Sequence, residues 1–206
     1  MVRYLLLAVA LLIPAHGSPN PAASQPAATT ADVPAYTYDG RLIFPANYRE
    51  WIYLTSGLDM SYAPRFNSSA MGHSMFDNVF VSPSAYKAFL QTGTWPDKTM
   101  LVLEVRGAGS NASINKSGHF QTTELMGTEV HVKDDRLPGK WAFYGFDDPS
   151  GKPTTKPFPH EMDCYSCHEQ HGGVDTTFVQ FYPTLIKLAE QKGTLSPSYK
   201  AEEAKK

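Results

Sequence analysis

Five consecutive residues, Cys164-Tyr165-Ser166-Cys167-His168, form the C-x-x-C-H motif that attaches a c-type haem. The chain has 2 cysteines, and both lie in this motif. Two thiols three positions apart on one helical turn can each bond a vinyl group of the same porphyrin. The next residue can then bind the iron from one face. We expect His168 to do so through Nε2, while its Nδ1 bonds to a carbonyl, a carboxylate or water.

Two other chemistries use the same residues. A redox dithiol is one, and an oxidising compartment would favour a Cys164–Cys167 disulfide. Half of a zinc site is the other, but zinc needs two more ligands at finger-like spacing, and the chain has no second cysteine pair. The motif therefore favours one covalently attached haem c, with its iron, as the cofactor.

The sixth position of the iron would decide between electron transfer and ligand binding. A methionine or histidine there would block access, whereas an open position would admit small ligands. A given methionine is more often core filler than an axial ligand, so composition leaves this position open. The candidates are Met60, Met71, Met75, Met100, Met126, Met162, His73, His119, His131, His160 and His171.

The N-terminus predicts export. Arg3 precedes an apolar stretch from Tyr4 to Ile13, and Ala15-His16-Gly17 resembles a signal-peptidase site. The stretch is short for a membrane span, so an uncleaved single-pass anchor is the less favoured alternative. We predict a signal peptide over residues 1–17 and a periplasmic protein without membrane association after cleavage.

Composition divides the remaining chain. Residues 18–35 are rich in Ala, Pro, Ser and Thr and read as a flexible linker. Residues 36–193 are expected to form one haem domain, followed by a polar tail over 194–206. The formal net charge of -2 and 18% charged residues give no broad basic surface, which argues against nucleic-acid binding.

Alternating apolar residues predict strands in most of the domain. These cover residues 51–54, 79–81, 100–106, 128–133 and 141–146. A helix is expected from Pro83 to near Gly93, and Asp163 is expected to cap the helix that carries the haem motif. Strands followed by helices predict an α+β fold, with a predominantly antiparallel sheet and C-terminal helices carrying the motif.

The domain also resembles the cytochrome P460 family. The matching segments are Asn47–Trp51, Val79–Pro83, Thr92-Gly93, Val132–Asp134, Trp141–Tyr144, the haem motif and Phe181–Leu185. The resemblance implies a predominantly β fold, usually dimeric, with one c-type haem, a proximal histidine and an open distal side. The family contains hydroxylamine-oxidising cytochromes P460 and cytochromes c′-β, which bind gases such as nitric oxide.

This chain departs from the oxidising branch at one position. Those enzymes cross-link a lysine to the porphyrin edge, and counting from Thr92-Gly93 places that position at Leu103. Leucine cannot form the bond, and Lys98 could substitute only with a shifted register. An arginine of the P460 pocket falls on Asp77, beside Phe76. The resemblance thus places Leu103 and Phe76 against the haem and favours the c′-β-like branch.

Glu129 keeps the oxidising branch open. By count from Val132–Asp134 it matches a carboxylate of hydroxylamine-oxidising relatives, where it could accept protons from a bound substrate. The alternative is a solvated strand face, because Glu129 shares its face with His131 and Lys133.

Three functions follow, in order of preference. The first is a c-type cytochrome that binds nitric oxide or a similar small ligand at an open site. The second is an oxidoreductase acting on hydroxylamine or nitric oxide, and the third is a simple electron carrier. Whether the chain is an enzyme stays open at this point. A homodimer and a periplasmic electron-transfer partner are also expected.

Overall fold

The computed structural model of the protein describes residues 32–60, 74–147, 150 and 152–206. The predicted signal peptide, most of the predicted linker, Met71 and His73 lie outside these ranges. Among the described helices, none combines the length and apolar character that a membrane crossing requires.

Five antiparallel strands form the central sheet, in the order β2-β3-β4-β5-β6. They are β2 (Ile52–Leu58), β3 (Met75–Val81), β4 (Met100–Gly109), β5 (Phe120–Lys133) and β6 (Trp141–Phe146). The short strands β1 (Leu42–Ile43) and β7 (Thr154–Thr155) pair with each other. Every predicted strand overlaps an observed one, and the α+β prediction is confirmed.

In the described residues, four α-helices accompany the sheet. They are α1 (Pro83–Thr92), α2 (Asp163–His171), α3 (Ile186–Lys192) and α4 (Pro197–Glu203). Helix α1 ends at Gly93, whose φ of 77° is the left-handed conformation that glycine adopts easily. The predicted cap of α2 is wrong by one residue, because Met162 is the N-cap and Asp163 is the first helical residue. Helix α4 follows Ser196, whose hydroxyl accepts the Tyr199 N–H, and the sequence patterns did not predict it.

The sheet is covered on both faces. One face packs with Leu54, Val81, Leu101 and Phe143 against α1 and the C-terminal segments. The other face packs with Val102, Val130, Val132 and Tyr144 against Leu42, Tyr48 and Trp51 of the N-terminal segment. Strand β5 therefore lies between two apolar layers, and its side chains alternate between them.

One carboxylate lies deep in the second layer. Glu104 is 1% exposed, and Tyr48, Arg49, Arg106 and Asn78 all donate hydrogen bonds to it. A buried charge is tolerable when it is paired and hydrogen-bonded in this way. These bonds connect β3, β4 and the turn before β2, so hydrogen bonds and ion pairs stabilise this side of the sheet in addition to apolar packing.

Candidate functional site

A cavity of about 310 Å³ lies between the first face of the sheet and the segment that follows α2. The sheet supplies side chains from four neighbouring strands, and the opposite wall comes from α2 and the residues after it. Its lining residues include Thr55, Asp77, Val79, Leu101, Leu103, Glu129, His131, His168, Phe178 and Phe181. A volume of this size is typical of a small-molecule or cofactor site.

His168 reaches this cavity from α2. Its Nδ1–H donates to the Thr176 carbonyl at 2.8 Å, one of the three partners expected from sequence. Burial lowers the pKa of His168 to about 4, and the nearby His131 acts in the same direction. The imidazole is therefore neutral at pH 7. With Nδ1 protonated, Nε2 carries the lone pair that a metal ligand needs.

Three further rings hold the imidazole of His168. The ring centroids of Phe178, Phe143 and His131 lie 4.3, 4.8 and 4.9 Å from it. The His131 ring is nearly perpendicular to it, at 79°. His131 is thus a direct packing partner of His168. The ring orientation of the predicted iron ligand is set by these contacts and by Thr176.

Both thiols of the motif are available for bonding. Cys164 and Cys167 are free, partly buried, and separated by three positions on α2. Burial raises the pKa of each, whereas reactive C-x-x-C dithiols have a lowered pKa. No group of three or more His, Cys, Asp or Glu residues in the described chain is arranged to hold a metal ion. The dithiol and zinc alternatives therefore gain no support.

These residues fit a c-type haem. A second cavity of about 530 Å³ adjoins the first, since Phe178 and Phe181 line both, and Cys167 opens into it. His168 lines the first cavity and Cys167 the second, so the neutral imidazole and one thiol border a connected space, and the partly buried Cys164 lies one turn earlier on the same helix. Cys164 and Cys167 would hold the porphyrin, and Nε2 of His168 would bind its iron.

Leu103 lines the cavity at the centre of the sheet. Its neighbours in register are Val79 on β3 and Glu129 on β5. Lys98 does not line this cavity. It lies in the loop before β4, where its Nζ pairs with Asp134 Oδ2 at 2.7 Å. None of the described residues that line the first cavity is a lysine, and the lysine of the second cavity, Lys206, belongs to the C-terminus and not to the sheet. The amine that a porphyrin cross-link requires is therefore absent from these walls.

Two carboxylates line the same cavity. Burial raises the pKa of Asp77 to about 6, and the charges of Glu129 and Asp59 add to this effect. The pKa of Glu129 is lowered, first by its interaction with His131, whose Nε2 lies 3.5 Å from Glu129 Oε2. The Glu129 side chain is 46% exposed and borders both the cavity and solvent, so the solvated-face alternative stays open for it, whereas His131 is 14% exposed on the same face.

Phe76 does not line this cavity. Its neighbours Met75 and Asp77 do, and alternation along β3 places the Phe76 side chain on the opposite face. The structure therefore gives no support to a haem contact from Phe76.

The structure places the methionine candidates for the sixth iron ligand in different surroundings. Met60 and Met75 line the cavity, whereas Met100 is 2% exposed within the second apolar layer, on the far side of the sheet. Met162 is 44% exposed at the start of α2. The two cavity methionines keep an axial thioether open as an alternative.

Several residues of the site were not identified from sequence. Thr176 contributes only a backbone carbonyl, so its side-chain type carries no signal. The contact of Phe178 with His168 depends on the short turn between α2 and the next segment, which no local pattern indicates. Asp77 was identified only as a replaced arginine, and its proximity to Glu129 depends on the register of three strands.

Comparison with known families gives one match. The model of the family described as cytochrome P460 matches residues 45–179, which include the whole central sheet and the haem motif. No curated protein sequence matches the chain.

Proposed function

The chain belongs to the cytochrome P460 family, which implies a c-type haem with its iron; from this premise we propose a periplasmic gas-binding cytochrome. It would carry one covalently attached haem and bind nitric oxide, or a similar small ligand, at an open distal site. The haem supplies the iron that binds such ligands. The protein would supply the two thiols, the imidazole that binds the iron and the walls of the cavity.

Leu103 is the observation that carries this proposal. It lines the cavity where the oxidising relatives have the cross-linking lysine, with Leu101 beside it on β4 and Val79 opposite it on β3. These three side chains offer no hydrogen-bond donor to a ligand bound beside them, whereas donors of the cavity such as Thr55 and His131 belong to β2 and β5. A ligand bound beside Leu103 that needs a donor, such as oxygen, would therefore be disfavoured relative to nitric oxide. Ionised Asp77 and Glu129 do not change this, because carboxylates only accept hydrogen bonds.

Absorption spectra of the purified holoprotein test the proposal. We expect an ordinary high-spin c-type spectrum in the ferric and dithionite-reduced forms, and a shift when nitric oxide is added. A strongly red-shifted ferrous Soret band would instead indicate a modified porphyrin, and the Leu103 argument would then be wrong. Mass spectrometry of the intact chain checks that one haem is attached covalently. The Cys164→Ser, Cys167→Ser double variant serves as its control.

A second candidate rests on Glu129. Its carboxylate lines the cavity and interacts with His131, so a proton acceptor is within the site. Oxidation of hydroxylamine or nitric oxide releases electrons, which an external acceptor would take, and oxidation of hydroxylamine also releases protons that Glu129 could accept. Steady-state turnover of hydroxylamine with an artificial acceptor distinguishes the two functions. Turnover that Glu129→Gln abolishes would favour the enzyme, and no turnover would exclude it.

Simple electron transfer is the third candidate, favoured by Met60 and Met75 in the cavity wall. A six-coordinate, low-spin spectrum that does not respond to nitric oxide would support it. We also propose a homodimer and a periplasmic redox partner. Light scattering after size-exclusion chromatography tests the former, and reduction by candidate periplasmic donors tests the latter.

A further inference from the structure

The carbonyl that accepts the His168 proton belongs to an unusual turn. Val174 and Thr177 pair across two central residues, Asp175 and Thr176, whose φ angles are 48° and 59°. Positive φ at both central positions is the geometry of a type I′ turn, which normally uses Asn or Asp followed by Gly. A β-branched threonine is disfavoured there. The surrounding structure must hold the turn in this conformation.

Helix α2 and the turn approach each other closely at Gly172. A Cβ atom at this position would lie 2.6 Å from the His168 carbonyl oxygen and 2.7 Å from the Thr176 carbonyl carbon. Both are backbone atoms, so neither could move without displacing the helix or the turn. Glycine thus permits the distance at which Thr176 reaches His168.

Two residues outside the turn fix its position. The Trp95 N–H donates to Asp175 Oδ2 at 2.9 Å, and its indole Nε1–H donates to Thr177 Oγ1 at 2.8 Å. Lys133 Nζ donates to the Trp95 carbonyl at 2.6 Å and to Asp175 Oδ2 at 3.2 Å. The Lys133 residue is 8% exposed. A buried cation on β5 therefore holds both the turn and the tryptophan that binds it.

We propose that Lys133 and Asp175 are positioning residues for the axial ligand: their ion pair holds the turn so that the Thr176 carbonyl stays bonded to His168 Nδ1. The inference rests on the proposed haem and on His168 as its ligand. A strong bond from Nδ1–H would make the imidazole a more electron-rich ligand for the iron, which would favour the ferric state. The ion pair would thereby act on the iron through the Thr176 carbonyl and the His168 imidazole.

Holoprotein variants test this inference. Lys133→Met removes the charge, and Asp175→Asn removes the ion pair while keeping an oxygen that can accept from Trp95. The exposed Lys187→Met is the matched control. We would measure the midpoint reduction potential and the iron–histidine stretching frequency of the ferrous protein by resonance Raman. Both test variants should lower the stretching frequency and raise the midpoint potential. We expect the reduction equilibrium to shift toward the ferrous state by up to about tenfold, which corresponds to about 59 mV for one electron.

The outcomes are distinct. A lower frequency with a higher potential in both test variants, and neither change in Lys187→Met, supports the inference. An unchanged frequency and potential in Asp175→Asn overturns it, even if that variant unfolds at a lower temperature, because the pair would then be merely structural. No iron–histidine band in the wild type overturns the proposed function, and this inference with it.

Discussion

Asp77 and Glu129 place two carboxylates in one cavity, and their surroundings separate their pKa values. Interaction with His131 lowers the pKa of Glu129, whereas burial, Glu129 and Asp59 raise that of Asp77 to about 6. Asp77 is therefore partly protonated near pH 6. Electrostatic repulsion between the two groups favours a single negative charge in the cavity at mildly acid pH.

Replacing Asp77 by asparagine should stabilise the protein at neutral pH. Because the folded pKa is raised above 3.8, the native state binds the extra proton between about pH 4 and 6. The stability contributed by Asp77 therefore falls as pH rises through this window. Asp77→Asn should gain up to about 2 kcal/mol at pH 7.5 and nothing at pH 4. Urea unfolding of the holoprotein at both values measures this.

The exposed Asp147→Asn is the control for this variant and should change little at either pH. An equal gain for Asp77→Asn at both pH values would contradict the burial explanation. Packing of the amide, and not loss of charge, would then be the cause.

At the scale of elements, β5 and the turn after α2 decide where the site lies. Strand β5 carries Val130 and Val132 into one layer and Glu129 and His131 toward the cavity. Helix α2 presents His168 opposite that face. Helix α4 packs on α2 through His171, whose Nδ1 lies 3.0 Å from Glu202 Oε2. The haem motif is thus held between the sheet and a terminal helix that lies beyond the region matched to the family.

The close approach of α2 and the turn predicts a strong effect of Gly172→Ala. The added methyl group meets three backbone atoms below 3 Å, so we expect a loss of about 2 kcal/mol or more in the free energy of unfolding. Gly127→Ala on β5 is the matched control, because a Cβ there has nothing within 4 Å. Urea unfolding of both holoproteins provides the comparison. Equal stability of the two variants would show that the turn adapts without cost.

For the whole molecule, the paired carboxylates predict acid unfolding. Burial alone would raise the pKa of Glu104, but its bonds from Arg106 and Tyr48 and the charge of Arg49 lower it. The hydrogen bond from Arg136 lowers that of Asp134. Groups with a lowered folded pKa stabilise the protein above their ordinary pKa and lose that contribution as pH falls. The melting temperature should therefore drop steeply below about pH 4.

Glu104→Gln tests the source of this acid sensitivity. It leaves Arg49 and Arg106 without a charged partner, so we expect a loss of about 3 kcal/mol at pH 7. The decline below pH 4 should be shallower than in the wild type, since one titrating carboxylate is gone. Thermal melts from pH 7 to pH 3 check both points. A parallel pH profile would contradict the role of Glu104. The proposed binding of nitric oxide should be unaffected, because Glu104 lies on the far face of the sheet.

Local patterns of the sequence predicted much of the fold. The strand at residues 100–106 was predictable because apolar side chains alternate along it, and the strand at 141–146 because it is a short apolar and aromatic run, which is typical of a strand buried on both faces. The extensions of β4 and β5 beyond the predicted residues were missed. They carry Gln121, Thr122 and Glu124, which the pairing of the two strands holds in place without apolar alternation. Helix α4 was not predicted because it buries no residue and therefore has no apolar face that the sequence pattern could show.

The sequence alone determined the chemistry of attachment, because two thiols and an imidazole within five residues need only one helical turn to act together. It also supplied the family, since the matching segments run along most of the domain in order. Tertiary structure decided which side chains share the cavity. The register of three strands brings Leu103, Asp77 and Glu129 into the cavity and directs Phe76 to the other face. A shift of one residue in that register would exchange the two faces. The link from Lys133 through Asp175 to Thr176 joins positions more than 40 residues apart, which no local pattern records.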